Sequence, residues 1–145
     1  MTTIELDFDI KHNDFDRAGS ASSALKNTLK QIGYPPDIIK RIVVSSYEAE
    51  MNVVVHASDG HLRAVITPNE VRVVVKDNGP GIENVEMAMK EGYSTAPERI
   101  RELGFGAGMG LPNIKKNTDV LNVESVVPTG TTVDFIVRRD NGKND

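Results

Sequence analysis

The 145-residue chain contains no cysteine and no tryptophan, and aromatic residues make up only 5% of it. Without cysteine there can be no disulfide, no thiolate metal site and no Cys nucleophile. The thin aromatic content argues against a stacking platform for single-stranded nucleic acid. Positive charge is not in excess: 17 Lys and Arg stand against 21 Asp and Glu, a formal net charge of −4, which speaks against a nucleic-acid or membrane surface. No apolar run approaches the ~20 residues of a membrane helix. The start, Met1-Thr2-Thr3-Ile4-Glu5, lacks the basic and apolar regions of a signal peptide. The expectation is a cytoplasmic protein forming one domain over residues 1–145, without linker or internal repeat and long enough to bury a substantial core.

Periodicity supplies the elements. Ile4-Glu5-Leu6-Asp7-Phe8-Asp9-Ile10 alternates apolar and acidic residues, as a half-buried edge strand does. Arg17 to Ile32 reads as a helix that Gly33 stops, and Asp37 to His56 as a longer one that Pro36 starts. At 100° per residue, Ile39, Ile42, Val43, Ser46, Ala49, Val53 and Val54 share one broad side of the long helix. Glu48 and Asn52 fall opposite, one turn apart. Glu50 interrupts the apolar side, and nothing in the sequence accounts for it.

Two strands, His61–Thr67 and Val71–Lys76, flank Pro68-Asn69-Glu70 as a hairpin, and the second runs into Asp77-Asn78-Gly79-Pro80-Gly81-Ile82. A short helix is expected over Val85–Lys90, a mobile polar segment over 91–105 and a helix from Leu111 to about Asn117. Val120–Val127 and Thr131–Arg139 form a last hairpin around Pro128-Thr129-Gly130, and the tail Asp140–Asp145 is expected to be disordered. Strands paired as hairpins, with helices gathered on one side, predict an α+β fold: a two-layer sandwich with a mixed, mainly antiparallel sheet.

Gly104-Phe105-Gly106-Ala107-Gly108-Met109-Gly110-Leu111-Pro112 places four glycines at alternate positions before a helix start. Glycine costs backbone entropy, so this density suggests a backbone that bends sharply or approaches a ligand closely. Free N–H groups and a helix N-terminus together suit a phosphate chain. A plain flexible loop would also contain such a run. Glu48 and Asn52 suit a proton acceptor and a hard oxygen ligand for Mg²⁺, or simply a solvated helix face. Asp77 with Gly79 and Gly81 suits a fixed acceptor for an exocyclic amine with room for a base above the backbone, or an ordinary turn. Thr131 and Thr132 after Gly130 are a weaker signal, since threonine is a common strand former.

Together, Glu48…Asn52 on a helix, Asp77-x-Gly79-x-Gly81, Gly106-x-Gly108-x-Gly110-Leu111 and Gly130-Thr131-Thr132 follow the order and spacing of the Bergerat-fold ATPases, the superfamily of gyrase B, Hsp90, histidine kinases and MutL. Within it the chain most resembles the small anti-sigma factor serine/threonine kinases, over nearly its whole length. That resemblance implies ATP and Mg²⁺ as cofactors. Asn52 would hold the Mg²⁺ and Glu48 would be the general base for a Ser or Thr hydroxyl on a STAS-type antagonist protein. Asp77 would bind the adenine amine, with Gly79, Gly81 and Ile82 beside the ring and Thr131 or Thr132 supporting the pocket. Gly106, Ala107, Gly108, Met109, Gly110 and Leu111 would shape a lid over the phosphates, to which Ser94 and Thr95 contribute hydroxyls. Arg17 would face the antagonist or a sigma factor, and a homodimer is compatible with the edge strand.

Four other readings compete. A full histidine kinase would need a dimerising helical hairpin with a phospho-accepting His, and His12, His56 and His61 have no such context. A gyrase-like clamp would need a transducer domain after the ATP-binding part. A non-catalytic nucleotide-binding module acting through its lid differs from the kinase only in what Glu48 does, and an α+β adaptor with a chance glycine loop would bind no nucleotide.

Overall fold

Alternation from Ile4 is realised as strand β1 (Ile4–Lys11), whose even-numbered residues turn inward and whose acidic residues point out. The computed structural model describes residues 3–56, 59–82, 85, 89 and 110–140. After β1 come α1 (Ser20–Gln31), α2 (Pro36–His56), β2 (Asp59–Ile66), β3 (Glu70–Asp77), α3 (Gly110–Asn117), β4 (Val120–Val126) and β5 (Gly130–Arg138). The sheet order is β1-β2-β3-β5-β4, with β1 at one edge as expected. All four pairings are antiparallel, so the mixed pairing expected from the sequence has no counterpart among the described residues.

Register puts the core in rows across the sheet. Leu62, Ala64 and Ile66 oppose Val75, Val73 and Val71, which in turn oppose Val133, Phe135 and Val137. Every one of these is at most 4% exposed. Leu25 and Leu29 of α1, Ile38, Ile42, Val53 and Val54 of α2, and Ile114 of α3 close over the same face. Burying each such side chain is worth roughly 1.5–3 kcal/mol, so one continuous apolar layer between helices and sheet holds the fold. No helix among the described residues is long and apolar enough to cross a membrane.

Helix α1 begins at Ser20, three residues later than the sequence suggests, because Gly19 takes a left-handed φ of 91° and breaks the turn before it. Gly19 offers no capping side chain, and Glu50 supplies the cap from the neighbouring helix. Its Oε2 accepts from the Gly19 and Ala21 N–H groups at 3.0 and 3.3 Å, and its Oε1 from the Ser22 N–H at 3.1 Å and the Ser22 hydroxyl at 2.8 Å. A buried anion thus meets the positive end of a helix and its orphan donors. That is why a carboxylate interrupts the apolar side of α2.

The opposite face of the sheet is charged. His61 bridges the edge strand, with Nε2 2.8 Å from Asp7 Oδ1 and Nδ1 3.1 Å from Asp9 Oδ1, while Arg63 pairs with Glu5 and Arg72 with Asp134. The hydrogen bonds to Asp7 and then Asp9 raise the His61 pKa above its usual value, and register sets Lys76 of β3 on the other side of the ring. A raised folded-state pKa stabilises the protein below the unfolded value, about 6.5, and the gain disappears as pH climbs through the folded value. We therefore expect the denaturation midpoint of the protein to exceed that of His61→Gln most clearly near pH 5.5–6. The gap should close above pH 8, and equal gaps at both pH values would contradict the bridge.

Candidate functional site

The site begins on α2. Glu48 and Asn52 are both half-buried and meet the first turn of α3. An ideal Cβ built on Gly110 would sit 3.3 Å from Asn52 Oδ1 and 3.5 Å from Glu48 Oε2. A side chain there would crowd both groups, so glycine allows the helix start to approach them. One turn further, Asn113 Nδ2 donates to Glu48 Oε1 at 3.3 Å. The far end of α3 is tied to the same helix, because Arg41 Nε donates to the Asn117 carbonyl at 3.1 Å and its guanidinium lies 3.4 Å from Asp119 Oδ1. Leu111, predicted as a lid residue, is 5% exposed and belongs to the core.

The second part is the end of β3. Asp77 Oδ1 accepts from the Gly79 N–H at 2.9 Å and from the Thr131 N–H at 3.1 Å, which fixes the carboxylate between the following turn and β5. Gly130, with φ 151°, passes so close that an ideal Cβ would lie 2.1 Å from the Asp77 carbonyl oxygen. Gly81, with φ 83°, lies against Val126, whose carbonyl oxygen would be 2.9 Å from a Cβ at that position. Ile82 N–H donates to Ser125 Oγ at 2.6 Å, and that hydroxyl is 2.8 Å from Thr131 Oγ1. Thr131 is therefore joined to the Asp77 network, whereas Thr132, the next residue along the strand, falls on the opposite sheet face, across from Lys76 and Glu124.

These two parts occupy one end of the sheet. Gly60, paired with Asp77 across β2 and β3, receives the Val53 side chain, whose Cγ1 would be 2.7 Å from a Cβ on that glycine. The residue after Asn52 thus packs beside the backbone that carries Asp77. Among the described residues no group of three or more His, Asp or Glu is arranged to hold a metal ion. A cation at Asn52 would take one protein oxygen and complete its shell from ligand and water, as Mg²⁺ commonly does.

A groove of about 550 Å³ runs from Glu48 and Tyr47 to Arg17, between α2 and the start of α1. Arg17, 83% exposed, lies on its rim with Nε 3.8 Å from Asp14 Oδ2. Ser94, Thr95, Gly106, Ala107, Gly108 and Met109 lie outside the described residues, as do most of the short helix expected at 85–90 and the segments 91–105 and 141–145. Of that short helix, the Met89 N–H donates to the Val85 carbonyl at 3.0 Å, one helical turn. Sequence reasoning missed Ser125, Asn113 and the cap made by Glu50. Asn113 had a usable signal, three residues past Gly110 on the same helix face; Ser125, a lone hydroxyl on an edge strand, had none.

Residues 12–137 match the family described as the histidine kinase-like ATPase domain, and the chain belongs to that family. It is similar to the serine/threonine-protein kinase RsbT of Bacillus subtilis, with 26% identity over 77% of this chain and 80% of that protein. An anti-sigma F factor of Anoxybacillus flavithermus is 32% identical over 69% of this chain, which spans only 62% of that relative. The crystal structure of the RsbU and RsbW domains of Rv1364c from Mycobacterium tuberculosis superposes on 95% of this chain and 32% of its own, with a TM-score of 0.62 and 18% identity, a likeness of fold. The resemblance drawn from the motifs and the α+β architecture are both borne out.

Proposed function

We propose that the protein binds Mg²⁺-ATP and transfers its γ-phosphate to a Ser or Thr hydroxyl of a STAS-type antagonist protein, in the manner of an anti-sigma-factor kinase. The observation that carries this reading is the seating of Gly110 against both Asn52 and Glu48, which joins the helix after the glycine run to an oxygen ligand and a carboxylate. Relatives named as a serine/threonine kinase and an anti-sigma factor support the reaction class and the kind of partner.

Each residue then has a role set by its chemistry. Asp77, with Oδ1 engaged by two backbone donors, would accept the adenine amine on Oδ2. Gly79, Gly81 and Ile82 would line the base, with Thr131 behind them. Asn52 would contribute its amide oxygen to Mg²⁺, which neutralises phosphate charge when bound. The N–H groups at the start of α3 and along Gly106–Gly110 would face the phosphates, and Ser94 and Thr95 would add hydroxyls to the lid. Glu48 would take the proton of the acceptor hydroxyl as its oxygen bonds to the γ-phosphorus and the bond to the β–γ bridging oxygen breaks, releasing ADP. Arg17, on the rim of the groove leading to Glu48, would meet the acceptor protein or a sigma factor.

Incubation with γ-labelled ATP, Mg²⁺ and a STAS-domain protein encoded nearby is expected to place one phosphate on a Ser or Thr of that protein. Saturable Mg²⁺-ATP binding with no transfer would favour a non-catalytic module acting through its lid. Absence of saturable binding would remove both nucleotide readings.

A further inference from the structure

Glu48 faces the first turn of α3. Oε1 accepts from Asn113 Nδ2 at 3.3 Å, while Oε2 lies 3.5 Å from the point a Cβ on Gly110 would occupy, a space the glycine leaves open. We propose that Asn113 is a positioning residue that fixes the Glu48 carboxylate through Oε1 and so leaves Oε2 to receive the acceptor's proton. This rests on the reading of Glu48 as the general base.

A glutamate on a helix face has three rotatable bonds, and an unanchored carboxylate spreads over many rotamers. A general base acts only within about 2.6–3.2 Å of the proton it abstracts, so scatter in its position costs turnover directly. Asn113 removes that freedom from a well-held platform. Its side chain is short, its backbone carbonyl accepts from Asn117 Nδ2 at 2.8 Å within α3, and the far end of α3 is tied to α2 through Arg41. The chemical type of the donor matters as well. A lysine or arginine in its place would orient Glu48 equally but pair with its charge and weaken it as a proton acceptor, whereas a neutral amide orients without neutralising. The tie also spans the two helices on which the site is built. Asn113 lies one turn beyond Gly110, so the distance between α3 and α2 sets where Glu48 is held.

The test uses the full chain with γ-labelled ATP, Mg²⁺ and the STAS-domain protein, under single turnover and as a function of acceptor concentration, with hydrolysis to water followed in parallel. Asn113→Leu, nearly equal in size but without the donor, should lower the transfer rate about tenfold. Asn113→Asp, which sets a like charge against Glu48, should lower it further. KM for the acceptor and the affinity for Mg²⁺-ATP should stay within about twofold, a split that loosened packing would not produce. A direct readout needs no turnover: the side-chain amide signal of Asn113, identified by its loss in Asn113→Asp, should shift on Glu48→Ala. If Asn113→Leu melts below the assay temperature, Asn113→Ser and the amide signal carry the test.

Wild-type rates in the Leu and Asp variants, with Glu48→Gln inactive, would overturn the proposal and leave the kinase reading standing. So would a change confined to KM, or an amide signal indifferent to Glu48. Full activity of Glu48→Gln would remove the base reading itself, and this inference with it.

Discussion

Glu48→Gln is expected to slow phosphoryl transfer by at least about 100-fold, the lower bound for losing a general base. The substitution is nearly isosteric. Its amide oxygen can still accept from Asn113 Nδ2 as Glu48 Oε1 does, so the helix contact that holds the side chain survives. What disappears is the ability to take a proton. Asn52 and Asp77 are untouched, and Mg²⁺-ATP affinity should remain within about threefold. Transfer measured under single turnover, beside a fluorescent-nucleotide titration, separates the two quantities. Transfer at the wild-type rate would move the chemistry away from Glu48, and a collapse of nucleotide binding would make Glu48 part of the phosphate site.

Glu50→Ala is expected to destabilise the protein by about 2–4 kcal/mol, because it leaves buried donors without partners. Glu50 is 2% exposed and holds three backbone N–H groups and one hydroxyl at the start of α1. In a domain whose whole stability is of the order of 5–15 kcal/mol, that corresponds to a melting temperature lower by roughly 6–12 °C. Glu50→Gln should fall between, since its oxygen can still accept while its NH₂ group faces other donors. Ser22→Ala, which loses one of the four bonds, should cost about 1 kcal/mol. Thermal melts of the three variants give the ranking. A melt for Glu50→Ala within 2 °C of wild type would show that the cap is not holding α1.

The two-layer architecture was legible because it rests on periodicity. The alternation in β1 and the apolar side of α2 follow from burial on one face, and a boundary error of a residue or two leaves that face unchanged. The start of α1 was misplaced by three residues because Gly19 turns left-handed there, and the carboxylate that caps the helix, Glu50, lies 31 positions away on another helix. No local pattern encodes such a partner. The candidate site was legible as residue types at set intervals, which is how Glu48, Asn52, Asp77 and Gly110 were found. The amide that reaches Glu48 sits at a helical spacing from Gly110 that could have been read, whereas the hydroxyl joining Ile82 to Thr131 is a tertiary contact of an ordinary polar residue that spacing does not single out. Successive strand residues point to opposite faces, so the choice between Thr131 and Thr132 turned on a register that only the folded sheet defines.

The absence of a side chain at position 130 has a mechanical consequence. Because β5 starts in near contact with the Asp77 carbonyl, the carboxylate next to it cannot shift without carrying the whole terminal hairpin along. That corner behaves as an anvil: whatever it grips is held by a wall rather than a hinge. The other part of the candidate site is anchored separately, since α3 rests on α2 and the core through the buried Leu111 and Ile114 as well as through the ties made by Arg41 and Asn113.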